Sequence, residues 1–202
     1  MLWAATSFGI TAIAYAGLGP RAYGKRPSGS LPLPYKIINL PYLLYTWVIW
    51  HMWRSLSREP AFNEVNAELV IGRRLLSSEA ADNFDHYVDL TAEFDEPKSI
   101  RTRQGYLNLP ILDASTPEIG KLRQALESVS NGRTYIHCAQ GHGRTGLFGL
   151  ALLLHRGKAQ SIEEGIRILQ AARPELKLNR EQLAFAKTHL DSVQNKDREE
   201  EP

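Results

Sequence analysis

Residues 134–146 read Thr-Tyr-Ile-His-Cys-Ala-Gln-Gly-His-Gly-Arg-Thr-Gly. Thr134 to His137 reads as a strand, a tight loop follows, and a helix begins at about Arg144. The loop opens with Cys138, the only cysteine of the chain, and closes with Arg144. Ala139, Gln140, Gly141, His142 and Gly143 lie between them, with no carboxylate.

This arrangement suits a phosphoryl dianion. A loop this short turns its backbone N–H groups inward as an anion nest. The helix that follows adds its free N–H groups and the positive end of its dipole. Gly141 and Gly143 allow positive φ and close backbone approach. Arg144 offers a planar fork for two phosphate oxygens. The same field favours a thiolate at Cys138, placed as an in-line nucleophile under bound phosphate. Thr145 is expected to hydrogen-bond the sulfur. The competing reading is a buried core cysteine with a chance arginine.

His137-Cys138-x5-Arg144-Thr145-Gly146 resembles the signature of cysteine-dependent protein tyrosine phosphatases, most closely the dual-specificity branch. The resemblance covers roughly residues 66–190. It implies an α/β fold with a central, mostly parallel sheet and helices on both faces, and the Cys loop at the carboxyl end of a central strand.

At 202 residues there is room for one domain and an appendage. Net charge +2 and the lack of a basic block give no footprint for nucleic acid. One cysteine excludes an internal disulfide framework. Residues 1–20 and 37–53 carry no charged side chain, while Arg21, Lys25, Arg26 and Lys36 lie between them. Trp47, Trp50 and Trp53 crowd the second stretch. A hydrophobic, membrane-associating region over 1–58 is the expectation. The first stretch is long enough to span but barely hydrophobic enough, since Gly, Thr and Ser dilute it; the second is short and aromatic, which also suits a helix in the interface. A signal peptide and core helices are the competing readings. Orientation is open. Two spanning helices would make the basic loop cytoplasmic, whereas an interfacial second helix and the family analogy favour a cytoplasmic catalytic domain.

The catalytic domain is expected over 59–191, with a polar tail at 192–202. Asn66–Gly72 reads as a strand leading to a turn, Ser77–Phe84 as a short helix capped by Ser77 or Ser78, and His86–Thr91 as a buried strand. Gly105–Leu112 reads as a strand interrupted by Pro110. Helices follow over Pro117–Ser130, from Arg144 to His155, over Ser161–Ala172 with a Ser161/Glu164 capping box, and over Asn179–Leu190.

The resemblance assigns further roles. Pro110-Ile-Leu-Asp113-Ala-Ser-Thr-Pro117 matches the family's acid loop, so Asp113 is the expected general acid; a turn or helix cap is its competing role. Glu93 stands where some members place an acidic residue near the site. Gln182 stands where relatives have a glutamine that helps place the hydrolytic water. His137 is expected to support the loop by hydrogen bonding. His142 is read either as a substrate contact or as a spacer.

The implied reaction has Cys138 attack phosphorus, Asp113 protonate the leaving oxygen, and Arg144 with the loop amides hold the equatorial oxygens. No metal or cofactor is expected. The substrate is a phosphoprotein, or alternatively a membrane phospholipid such as phosphatidylglycerophosphate or a phosphoinositide. Sulfur transfer, arsenate reduction and a non-catalytic phosphate-binding module are weaker alternatives.

Overall fold

The computed structural model describes residues 1–80 and 83–190. The expected tail at 192–202 lies outside the described residues. Two helices open the chain: α1 (Leu2–Ile13) and α2 (Leu33–Leu56), joined through a π turn at Ala14–Leu18 and a 3-10 turn at Gly19–Tyr23. Then follow β1 (Phe62–Asn66), β2 (Leu69–Arg73), β3 (His86–Thr91), the one-turn α3 (Lys98–Arg101) and β4 (Tyr106–Ile111). α4 (Ile119–Ser128), β5 (Thr134–Cys138), α5 (Gly143–His155), α6 (Ile162–Ala172) and α7 (Arg180–His189) complete the fold.

The strands form one sheet in the order β1-β2-β5-β3-β4. Only β1 runs antiparallel; β2, β3, β4 and β5 are parallel. β5 lies between β2 and β3 and is buried at every position, so its carboxyl end sits at the middle of the sheet. This is the α/β architecture the sequence implies.

Alternation along the strands sends two sets of side chains to two faces. Leu69, Ile71, Val88, Leu90, Ile136 and Cys138 face the core made with α4, α5, α6 and α7. α5 is buried from Arg144 to Leu154, which explains its apolar surface all round. Val70, Tyr87 and Tyr135 face the other way, against Leu75, Phe84 and Ile100 of α3. Helices therefore cover both faces, but α4, α5, α6 and α7 share one.

Three elements differ from expectation. Asn66–Gly72 is not one strand: Asn66 ends β1, and Glu68 N–H donates to Asn66 Oδ1 at 2.9 Å, closing a turn before β2. Among its described residues, Ser77–Phe84 holds one 3-10 turn, Ser77–Glu79; residues 81–82 lie outside the described residues. Glu79 folds back on Leu76 N–H at 2.9 Å and pairs with Arg54 and Arg73, which fixes one turn and no more. In the α6 box, Ser161 Oγ accepts Glu164 N–H, but the Glu164 carboxylate returns to Gln160 N–H. Pro110 lies inside β4 and is tolerated because β4 is an edge strand.

α1 and α2 run side by side in the same direction. Trp3 Nε1 donates to Ile37 O at 3.0 Å, and Tyr42 N–H donates to Ser7 Oγ at 3.1 Å. Pro41 explains the first contact. It has no N–H, so Ile37 O loses its helical donor and takes Trp3 instead. A parallel pair is not the two-pass antiparallel hairpin that two spanning stretches would form. Residues Leu2–Tyr23 are long and apolar enough to cross a membrane by length and composition alone. The pair is packed on the sheet and its loops: Ala14, Ala22, Tyr23 and Leu31 share a buried cluster with Ala92 and Leu112.

Candidate active site

Cys138 ends β5 and is 4% exposed. The chain then reverses at Gly141, whose φ is 82°. A Cβ on Gly141 would lie 2.4 Å from the Gly72 carbonyl carbon, so only glycine fits between the loop and β2. Gly141 N–H donates to Cys138 Sγ at 3.2 Å. Thr145 Oγ1 is buried without a protein partner, so the sulfur's hydrogen bond comes from the loop amide and not from Thr145 as expected.

The loop is braced from outside. Ala139 O accepts from Trp50 Nε1 at 2.8 Å, and Gln140 O accepts from Arg173 at 3.0 Å. The His142 ring sits 2.9 Å from Glu59, which Arg173 also binds at 3.1 Å. His142 is thus held by the linker that precedes β1, and its ring is turned to Glu59.

Arg144 is fixed by a carboxylate 51 positions away: Nη1 and Nη2 each donate to one oxygen of Glu93 at 2.9 Å. Nη1 also donates to Ile111 O at 3.0 Å. Burial opposes both charges. The pair outweighs it, holding the Glu93 carboxyl below the usual carboxylate range and the guanidinium charged. Arg144 Nε is buried with no protein partner, leaving an N–H for a substrate oxygen. Asp113 follows β4 with its side chain 73% exposed, and Oδ1 is 3.2 Å from Arg144 Nη2.

The Asp113 loop is clamped through its backbone. Tyr15 donates to Asp113 O at 3.2 Å, Asn179 to Ala114 O at 2.6 Å and Gln182 Nε2 to Ser115 O at 3.2 Å. Gln182 Oε1 accepts Asn179 N–H at 3.1 Å, completing a capping box at α7. Its amide is engaged at both ends, and its side chain lies where a Cβ on Gly143 would come within 2.8 Å.

His137 faces the opposite side of the sheet from Cys138. Neither ring nitrogen has a hydrogen-bond partner; the ring stacks on Tyr135, and Glu96 is 3.8 Å away. Support by hydrogen bonding is replaced by packing. Burial, reinforced by Lys25 and Arg74 against the pull of Asp89, lowers His137 to about 4, so the ring is neutral at neutral pH. Ligand atoms of Asp89, Glu96 and His137 come within 4.8 Å of one another. The cation of this cluster is the Lys25 ammonium, 2.6 Å from Asp89 Oδ2 and also bonded to Thr91.

The cleft above Cys138 has a volume of about 300 Å³. Cys138, Arg144 and Asp113 line its base, and Tyr15 of the π turn with Tyr42, Tyr45, Ile49 and Trp50 of α2 line one side. Sequence reasoning missed this wall, and it assigned no role to Arg173. The aromatic crowding of α2 was the one available signal.

The model of the PTP-SAK family, the DSP-PTPase phosphatase domain of Swiss Army Knife proteins, matches residues 80–199. That is more than half of the chain, and the chain belongs to this family, within the cysteine-dependent protein tyrosine phosphatase superfamily. "Putative tyrosine phosphatase 197R" of Invertebrate iridescent virus 6 is 34% identical over 79 residues. The match spans 33% of this chain and only 30% of the viral protein. The crystal structure of Tk-PTP in the active form superposes with a TM-score of 0.56 at 25% identity, over 64% of this chain and 95% of its own. PTPMT1 in complex with PI(5)P superposes with a TM-score of 0.60 at 15% identity, over 68% of this chain and 99% of its own.

Proposed function

We propose that the chain hydrolyses phosphate monoesters through a cysteinyl-phosphate on Cys138. Cys138 Sγ attacks phosphorus in line, the ester P–O bond breaks, and Asp113 gives its proton to the departing oxygen. Arg144 and the amides of residues 139–145 hold the equatorial oxygens. Water then attacks phosphorus, Asp113 takes its proton, and the thiolate leaves with inorganic phosphate released.

The observation that carries this reading is the set at the cleft base. A buried cysteine receives a loop N–H, and an arginine fixed by Glu93 keeps Nε without a protein partner beside Asp113. Within this reading Glu93 and Gln182 are positioning residues, one for Arg144 and one for the acid loop. Binding at the loop falls to the His142 backbone.

Two substrate classes suit this reaction. The family favours a phosphoprotein, with dual or tyrosine specificity. The aromatic and aliphatic wall from α2, with Tyr15 of the π turn, favours a membrane lipid phosphate. The reaction class is tested with the full chain on aryl and alkyl phosphates without added metal. Cys138→Ser is expected to abolish turnover. Asp113→Asn is expected to lower kcat by about 10²–10⁴-fold, more for the alkyl leaving group, which needs the proton. Unchanged hydrolysis by Cys138→Ser would remove the cysteinyl-phosphate from consideration.

A further inference from the structure

Three observations converge on the N-terminal helices. First, every exposed large hydrophobic side chain among the described residues lies between Met1 and Leu56. Trp47 and Trp53 are 50% and 42% exposed, beside Val48 and Met52. So large an apolar surface marks an interaction site. Second, residues 1–58 carry six cations and no acid. Lys25, Lys36 and Arg54 pair with Asp89, Asp95 and Glu79; Arg26 and Arg58 are exposed, as is Arg21, which lies 3.9 Å from the exposed Glu118. Tryptophan, tyrosine and aliphatic side chains flanked by arginine make the composition of a bilayer interface rich in anionic lipid.

Third, the exposed surface runs into the cleft. Tyr15, Tyr45 and Ile49 are 49%, 54% and 39% exposed and also line the space above Cys138. The wall is joined to the catalytic parts on both sides, through Trp50 to Ala139 O and through Tyr15 to Asp113 O.

We propose that α1 and α2 seat the protein on an anionic bilayer, and that its substrate is a lipid with a phosphate monoester headgroup, hydrolysed in place. The lipid's acyl part lies along Tyr45 and Ile49 while its phosphate reaches Cys138. The dephosphorylated lipid stays in the membrane and inorganic phosphate leaves to water. This rests on the phosphomonoesterase reading and adds the substrate class and its route.

The test uses the full chain and phosphatidylcholine vesicles, with and without phosphatidylglycerol. The vesicles carry phosphatidic acid, phosphatidylglycerophosphate or a phosphatidylinositol monophosphate. A phosphotyrosine peptide and a small aryl phosphate are the soluble probes. The chain is expected to float with the anionic vesicles. At least one vesicle-borne lipid should be turned over about tenfold or more better, by kcat/KM, than either soluble probe. Trp47→Ser with Trp53→Ser lies outside the cleft and should lower the lipid-to-aryl ratio by about tenfold. Preference for the peptide would overturn the lipid route and leave the phosphatase reading standing. So would an unchanged ratio in the variant, or a wild-type chain that stays in the unbound fraction. Loss of turnover on every probe would overturn both.

Discussion

Both terminal nitrogens of Arg144 lie 2.9 Å from the two carboxylate oxygens of Glu93, and both side chains are buried. The geometry is a bidentate fork, which fixes the guanidinium plane over the loop. The arginine is therefore held in one orientation, and its Nε–H is buried with no protein partner.

Removing one partner of such a pair strands the other charge out of water. Glu93→Gln keeps the shape and loses the charge. Denaturant unfolding is expected to show a loss of about 3–5 kcal/mol. Phosphate affinity and kcat/KM should fall together, because Arg144 no longer holds one plane. Asp113, 73% exposed, is the contrast: Asp113→Asn should leave the unfolding midpoint in place while kcat drops. A Glu93→Gln protein of wild-type stability would show that the pair does not position the arginine.

Much of the site was legible because its signal is local. Strand, cysteine, two glycines and arginine occupy thirteen consecutive residues, 134–146, and their chemistry follows from spacing. β3 begins and ends where the run His86–Thr91 does, and it is buried from Tyr87 to Thr91 although Asp89 interrupts its apolar residues. The illegible parts are contacts between distant residues. Trp50 and Ala139 are 89 positions apart, and Arg173 and Gln140 are 33 apart. No periodicity in either segment points to the other. Lys25 stood in a basic connection whose composition suggests solvent or lipid, yet its ammonium is buried. The parallel course of α1 and α2 is set by Trp3 and Ser7 meeting the backbone around Pro41, a tertiary pairing that propensity does not encode.

Lys25 supplies the second prediction. Its ammonium and the Asp89 carboxylate are 2.6 Å apart with both side chains fully buried. Tyr106 donates to the same Asp89 oxygen at 2.7 Å, and Thr91 binds the other. Burial opposes the Asp89 charge, and Lys25 outweighs burial, so the carboxyl lies far below its ordinary range. Lys25→Met leaves that carboxylate buried and uncompensated, with an expected loss of about 3–5 kcal/mol in denaturant unfolding. Adding Asp89→Asn should restore part of it, because asparagine still bonds Thr91 and Tyr106 without a charge to bury. A fragment beginning at residue 59 lacks Lys25 and should resist proteolysis less well than the full chain. Equal resistance would mean that the N-terminal region is an appendage.

Glu96 carries the last prediction, a pH dependence of stability. Burial, with Asp89 adding to it and Arg74 and Lys25 opposing, pushes Glu96 up to about 8 from an ordinary 4.5. The folded chain keeps a proton that the unfolded chain releases. Its contribution is complete below 4.5 and is lost as pH rises through 8. His137 works in the other direction. Lowered from 6.5 to about 4, it contributes fully above 6.5 and loses that contribution as pH falls through 4. The two slopes oppose each other where they overlap. From 6.5 to 8 only Glu96 acts, and stability should fall as pH rises. Glu96→Gln mimics the protonated side chain and should flatten the profile in that window, with the denaturation midpoint of the variant overtaking the wild type on the alkaline side. A wild-type midpoint that is constant across the window would mean that Glu96 is already ionised in the folded chain, and that Arg74, 3.2 Å away, neutralises it.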